Sequence, residues 1–249
     1  MLTQKQYRSR AKALLGSFVA VLVLIFLPIY PDLQPGKRTD GLTFMDNFFN
    51  SLSKYSSDFM EDQRDKVRKA APGALDAALT IKALKDAKDK NKTLIPAETL
   101  AADAARVLTA AGFEATAEGA SLKVKGDCGK LLESAIADAE LMYKNDGAAI
   151  SAKYAGMNER AAVFAWYNTV TALAANFKKS GQTAQANLVS GVAAKTLEPA
   201  YNYYQIEAKS RTKYLFPLLL ALGFYVLYTC WYGFGILYLF ESMGVKLEH

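Results

Sequence analysis

The sequence predicts a mainly α-helical chain in which two transmembrane helices flank an α-helical extramembrane domain with a small αββα unit containing one β-hairpin. Three observations predict it. Residues 13–31 hold no charged side chain until Asp32, residues 214–240 hold none at all, and the chain between them alternates apolar stripes at helical spacing with two short period-two segments. The 249 residues are 51% apolar and carry a formal charge of +6, so apolar and polar residues are segregated into blocks rather than mixed.

The first span covers residues 13–31, after a basic tail of residues 1–12 that holds Lys5, Arg8, Arg10 and Lys12. A basic segment before an apolar run also marks a cleaved signal peptide. Here the run leaves through Leu27-Pro28-Ile29-Tyr30-Pro31, which offers no small-x-small cleavage site, so the reading is an uncleaved signal anchor. The second span covers residues 214–240, leaving a short tail at 241–249. The four basic residues of the first tail place both termini in the cytoplasm and residues 32–213 outside it, in a periplasmic position. Lys209, Arg211 and Lys213 argue for the opposite topology, with the domain cytoplasmic and resting on anionic lipid.

Between the spans, Phe44, Met45, Phe48, Phe49, Leu52, Tyr55 and Phe59 form one helical stripe from Thr43, and the charged residues 58–69 read as a solvated face of surface ion pairs. Residues 82–92 are a lysine–aspartate run, read as exposed loop or frayed helix. Residues 97–145 read as the αββα unit. Pro96 opens its first helix, which Gly112 ends, with Phe113 folding back over the end. A turn at Gly119-Ala120 sets Ala117 opposite Leu122, Ala115 opposite Val124, Thr116 opposite Lys123 and Glu114 opposite Lys125. Asp127 caps the second helix, whose stripe is Leu131, Leu132, Ala135, Ile136, Ala139 and Met142.

After Asn145-Asp146-Gly147, residues 148–206 read as an αα-hairpin. One helix buries Met157, Ala161, Phe164, Val170, Leu173 and Phe177, with Trp166 and Tyr167 broadening that face; its partner, capped by Thr183, carries Leu188, Val189, Val192 and Leu197. The spacing of Lys179, Gly181, Ala186, Ala193 and Pro199 resembles a single tetratricopeptide unit. The proline falls one position late and one copy makes no solenoid, so the spacing is read as ordinary helix packing. Pro199 starts a further helix through Tyr201, Tyr203, Tyr204 and Ile206, expected to run on into the second span.

The composition excludes much chemistry. The sole histidine is the last residue and there are two cysteines, so no Ser-His-Asp or Cys-His catalytic set, haem attachment or Cys/His zinc site is available. Leu247-Glu248-His249 matches the tail an expression vector leaves, and His249 is given no role. The glycine-rich Gly126–Lys130 segment has two residues between its glycines where a phosphate loop needs four, and Leu131 follows its lysine. Cys128 stands at a helix start near Lys130, where a lowered pKa is one option and an inert or intermolecularly paired thiol the other; Cys230 lies within a span. No carboxylate pair is recognisable in an apolar setting, and no basic stripe interleaved with aromatics points to nucleic acid.

The expectation is therefore a non-enzymatic chain with no cofactor and no metal. It is read as an accessory subunit of a larger, bacterial inner-membrane complex, whose partners are other membrane subunits and the bilayer. The expected docking surface is Gly223, Tyr225, Tyr228, Gly233 and Gly235 of the second span, together with the juxtamembrane Tyr201, Tyr203 and Tyr204. Two alternatives stand beside it: a ligand-sensing ectodomain acting through a separate output partner, since only nine residues follow the second span, and a homo-oligomeric scaffold or pore.

Overall fold

A computed structural model describes residues 2–32 and 36–245. Lys246 and the tail Leu247-Glu248-His249 lie outside the described residues. The chain is mainly helical and divides into two units, one of Met1–Tyr55 with Glu207–His249, the other of Ser56–Ile206.

In the first unit, α1 (Gln4–Phe26) begins well before the uncharged run. Thr3 and Gln6 form a reciprocal capping box, Gln6 N donating to Thr3 Oγ1 at 3.3 Å and Thr3 N to Gln6 Oε1 at 2.8 Å. The basic residues expected in a tail thus lie in the first two and a half turns of the helix. α1 stops at Phe26, short of the expected residue 31, because the residue before Pro28 is driven to extended backbone. A two-residue ladder follows, β1 (Tyr30–Pro31) against β2 (Arg38–Thr39). Then comes α2 (Gly41–Ser56), started by Asp40, whose carboxylate accepts from Thr43 N and Oγ1. The single stripe expected from Thr43 to Phe59 is broken here: α2 ends at Ser56, and Phe59 precedes a separate helix. The returning segment meets α2 where Lys209 N donates to Ser51 O at 3.0 Å. The last helix of this unit, Leu215–Ser242, starts and ends within two residues of the expected span.

The second unit is a helical layer on a three-stranded antiparallel sheet. α3 (Met60–Ala70) ends at Ala71, left-handed at φ 40° with Pro72 behind it. β3 (Ala74–Thr80) then pairs along the far edge of β7 (Ser121–Asp127), whose other edge holds β6 (Glu114–Glu118). The expected single hairpin is therefore corrected to a three-stranded sheet of order β3-β7-β6. The hairpin register itself is the one the alternation dictates, Ala117 opposite Leu122 and Ala115 opposite Val124. Residues 82–92 are not all loop, since β4 (Leu84–Lys85) pairs with β5 (Thr93–Ile95).

α4 (Ala97–Ala110) and α5 (Cys128–Tyr143) complete the αββα unit. Pro96 caps α4 from outside rather than lying in its first turn, and Gly112 takes φ 90° as expected of a left-handed cap. Asp127 caps α5, accepting from Lys130 N at 2.8 Å. After α6 (Gly147–Lys153), α7 (Glu159–Lys179) and α8 (Thr183–Val192) form the helical hairpin. Two details of that hairpin differ from expectation. Gln182, not Thr183, precedes the first turn of α8. The buried face of α7 is centred on Val163, Trp166, Val170 and Leu173, leaving Ala161 and Phe164 half-buried, and Trp166 on that face is fully buried and donates to Asp138 of α5.

A π-helical turn (Ala193–Leu197) joins α8 to α9 (Glu198–Asn202). Pro199 lacks an N–H and clashes with the carbonyl four residues back, and widening the turn before it relieves both faults. α9 ends at Asn202 and Gln205 takes φ 69°, so the helix expected to run unbroken from Pro199 into the second span is interrupted over residues 203–214. The last helix, Leu215–Ser242, is α10.

Candidate functional site

Among the described residues, α1 and α10 are the two helices long and apolar enough to cross a membrane, and the apolar window of each is almost wholly unburied. At 1.5 Å per residue their 23 and 28 residues span ~35 and ~42 Å, enough for a hydrocarbon core of ~30 Å. The chain thus has the outline of a two-pass membrane protein.

The two helices pack antiparallel. Tyr7 meets Tyr238 at one end, with ring centroids 5.9 Å apart, and Arg10 lies over the Tyr238 ring at 5.8 Å. Further along, Phe18 stacks on Tyr228 at 4.4 Å and tilts against Tyr232 at 5.0 Å. Between these levels Gly235 faces α1: a Cβ there would stand 2.7 Å from Leu15 Cδ2 and 3.1 Å from Leu15 Cγ. Small residues let helices approach closely where lipid offers no hydrophobic driving force, and Gly235 with the buried Ala11 provides that approach here.

The five residues singled out on α10 do not share a face. Gly235 and Tyr228 are turned to α1 of the same chain. Gly233 lies about 160° around the helix from Gly235 at 100° per residue, with nothing near its missing Cβ. Tyr225 is 68% exposed and falls with the exposed Thr229 and Gly233 on a stripe of four-residue spacing. Gly223 is also open but sits on the opposite flank. Tyr228 Oη and Trp231 Nε1 are buried with no hydrogen-bond partner among the described residues.

The three tyrosines of the other unit are drawn into its fold to different degrees. Tyr204 is buried, donates to Glu159 Oε1 at 3.1 Å, and fills the space that a side chain at Gly147 would need. Burial, ahead of the Glu159 contact, raises its phenol pKa. Arg160 is layered over Tyr204 at 5.0 Å and over Tyr201 at 5.3 Å, and Tyr203 is half-buried.

A polar cluster that sequence reasoning missed lies inside the second unit. Asp138 of α5 is fully buried and accepts from Trp166 Nε1 at 2.7 Å, from Lys153 Nζ at 2.7 Å and from the Tyr154 hydroxyl. Burial and then the neighbouring carboxylate push the Tyr154 phenol far above its ordinary range. Three donors on one carboxylate leave it held rather than available, which suits a structural network better than proton transfer. The signal was present: Asp138 sits three residues from both Ala135 and Leu141 on a helix whose buried stripe includes Ala135, Ala139 and Met142. Cys128 is also buried, and burial with the adjacent Asp127 pushes its thiol up to about 11, so the lowered pKa considered for a helix-start cysteine is overturned. Among the described residues no group of three or more acidic, cysteine or histidine side chains is placed to hold a metal ion.

In comparison with known proteins, no family model, curated protein or solved structure matches this chain.

Proposed function

We propose that the chain is a non-enzymatic accessory subunit of a larger membrane complex, anchored by α1 and α10 and docking to a partner helix through the outward stripe Tyr225–Thr229–Gly233. The observation that carries this reading is that stripe. Thr229 and Gly233 make a small-xxx-small pair on an exposed helix face, the pattern that permits close helix approach. Tyr225 adds a phenol that lipid tails cannot satisfy by hydrogen bonding. In this reading the membrane is a bacterial inner membrane, both termini are cytoplasmic, as the basic start of α1 favours, and the Ser56–Ile206 unit is periplasmic. The antiparallel packing of α1 and α10 is consistent with termini on one side.

The test is gentle extraction of the chain from its native membrane followed by native sizing and mass spectrometry of what accompanies it. Stoichiometric partners that are lost on Gly233→Leu and Thr229→Leu, with membrane insertion intact, support the reading. A lone chain overturns it, and a homo-oligomer replaces it with self-assembly. An impermeant thiol reagent on a periplasm-directed cysteine at exposed Lys90 reports the side.

A further inference from the structure

The flank of the α1–α10 pair opposite to Tyr225 is an open apolar slot. Arg10 and Leu14 of α1 form one wall, and Tyr238, Phe234, Trp231 and Leu227 of α10 the other. On α10 the slot continues to Phe224, fourteen residues from Tyr238, which makes it ~21 Å long. That is longer than half of a ~30 Å hydrocarbon core, so the slot can follow one leaflet from its headgroups to the midplane. Its polar end is Arg10. The guanidinium lies over the Tyr238 ring and pairs with no carboxylate among the described residues, and Glu241, the one acidic residue of α10, forms no ion pair. Lys5, Arg8 and Lys12 surround the same end of α1, with no acidic residue in that helix to offset them.

We propose that this slot binds one anionic phospholipid, its phosphate on Arg10 and one acyl chain laid along Phe234, Trp231 and Leu227. Charge complementarity selects the headgroup: an anionic lipid answers an unpaired guanidinium at the level where basic residues meet the membrane surface. Shape selects the chain. The slot is walled mainly by large side chains, with Ala13 and Cys230 the small ones among them. Its lining holds no small-xxx-small pair of the kind a partner helix needs and that Thr229 and Gly233 supply on the other flank. The polar atoms of Trp231 and Tyr228 are buried, so the slot offers their carbon faces to the occupant. This inference depends on the spans but not on any protein partner.

The experiment is native mass spectrometry of the full chain, delipidated in detergent and titrated with phosphatidylglycerol or phosphatidylcholine of the same acyl chains. One phosphatidylglycerol per chain is expected, retained at least tenfold better than phosphatidylcholine. Arg10→Gln is expected to abolish the preference, Arg10→Lys to keep most of it, and Lys90→Gln, in the Ser56–Ile206 unit, to leave it unchanged. Leu227→Trp, at an exposed position, fills the slot and is expected to displace either lipid without lowering the melting temperature. Equal retention of the two lipids overturns the proposal, as does phosphatidylglycerol binding that survives Arg10→Gln or Leu227→Trp. A dimer that forms in place of lipid binding overturns it too, by assigning the slot to a second copy.

Discussion

Gly235 of α10 and Leu15 of α1 are in van der Waals contact across the helix pair, with no room between them for a β-carbon. The nearest atom is the end of a flexible side chain, so the two helices tolerate a methyl group far better than a branched chain. Gly235→Ala is expected to change stability by less than about 1 kcal/mol, and Gly235→Leu to destabilise the pair by about 1–3 kcal/mol. Leu15→Ala should recover part of the Gly235→Leu loss. Thermal melting in detergent of the four chains of this cycle measures the coupling, and additive effects would contradict the contact.

Tyr228 stacks on Phe18 through its ring, but its hydroxyl is buried with no partner among the described residues. Removing that oxygen while keeping the ring discards an unmet desolvation penalty of about 1–3 kcal/mol. Tyr228→Phe is therefore expected to hold or raise the melting temperature. A clear drop would mean that the hydroxyl has an acceptor.

Asp138 organises three donors at once, so its loss strips Tyr154 and Lys153 of their acceptor and leaves Trp166 Nε1 only the Tyr154 hydroxyl at 3.1 Å. Asp138→Ala is expected to destabilise by about 3–5 kcal/mol, the range for breaking a buried charged pair. Asp138→Asn keeps the shape and an acceptor and should lose less. Denaturant melts of the full chain, followed by near-ultraviolet dichroism, check both values. A loss below 1 kcal/mol for Asp138→Ala would show that the network contributes little.

Lys54 of α2 is buried, and burial lowers its ammonium pKa to about 8. The unfolded chain keeps this proton up to about 10.4, the ordinary lysine value. Between those limits the unfolded state holds more protons, so stability rises with pH from about 8 to about 10. Below pH 8 both states carry the charge and the contribution is flat. Melting temperatures across pH 7–10.5 should show this rise, and Lys54→Gln should flatten it. An unchanged slope in that variant would assign the rise to another group.

The αββα unit was legible because its signals are local. Alternation sets the β6–β7 register, Asp127 marks a helix start and Gly112 a helix end, each within a few residues. β3 escaped because Ala74–Thr80 is alanine-rich and suits a helix as well as a strand. Only pairing with β7, more than forty residues away, decides between them. The interface residues were legible by type and not by place. Which faces of α10 remain open depends on where α1 lies, and that contact joins the two ends of the chain. Asp138 was passed over for a similar reason, since its partners come from α6 and α7.

The pairing of the first helix with the last also sets an order of assembly. About 190 residues separate Phe26 from Leu215, and at roughly 5–20 residues per second a ribosome needs ~10–40 s to make them. For that interval α1 is in the bilayer without its mate, its Leu15 and Phe18 face open to lipid or to the insertion machinery. The Ser56–Ile206 unit has been synthesised in full before α10 emerges. Closure of the helix pair thus waits until α10 has been made, and a ribosome stalled before residue 215 leaves a domain tethered by α1 alone.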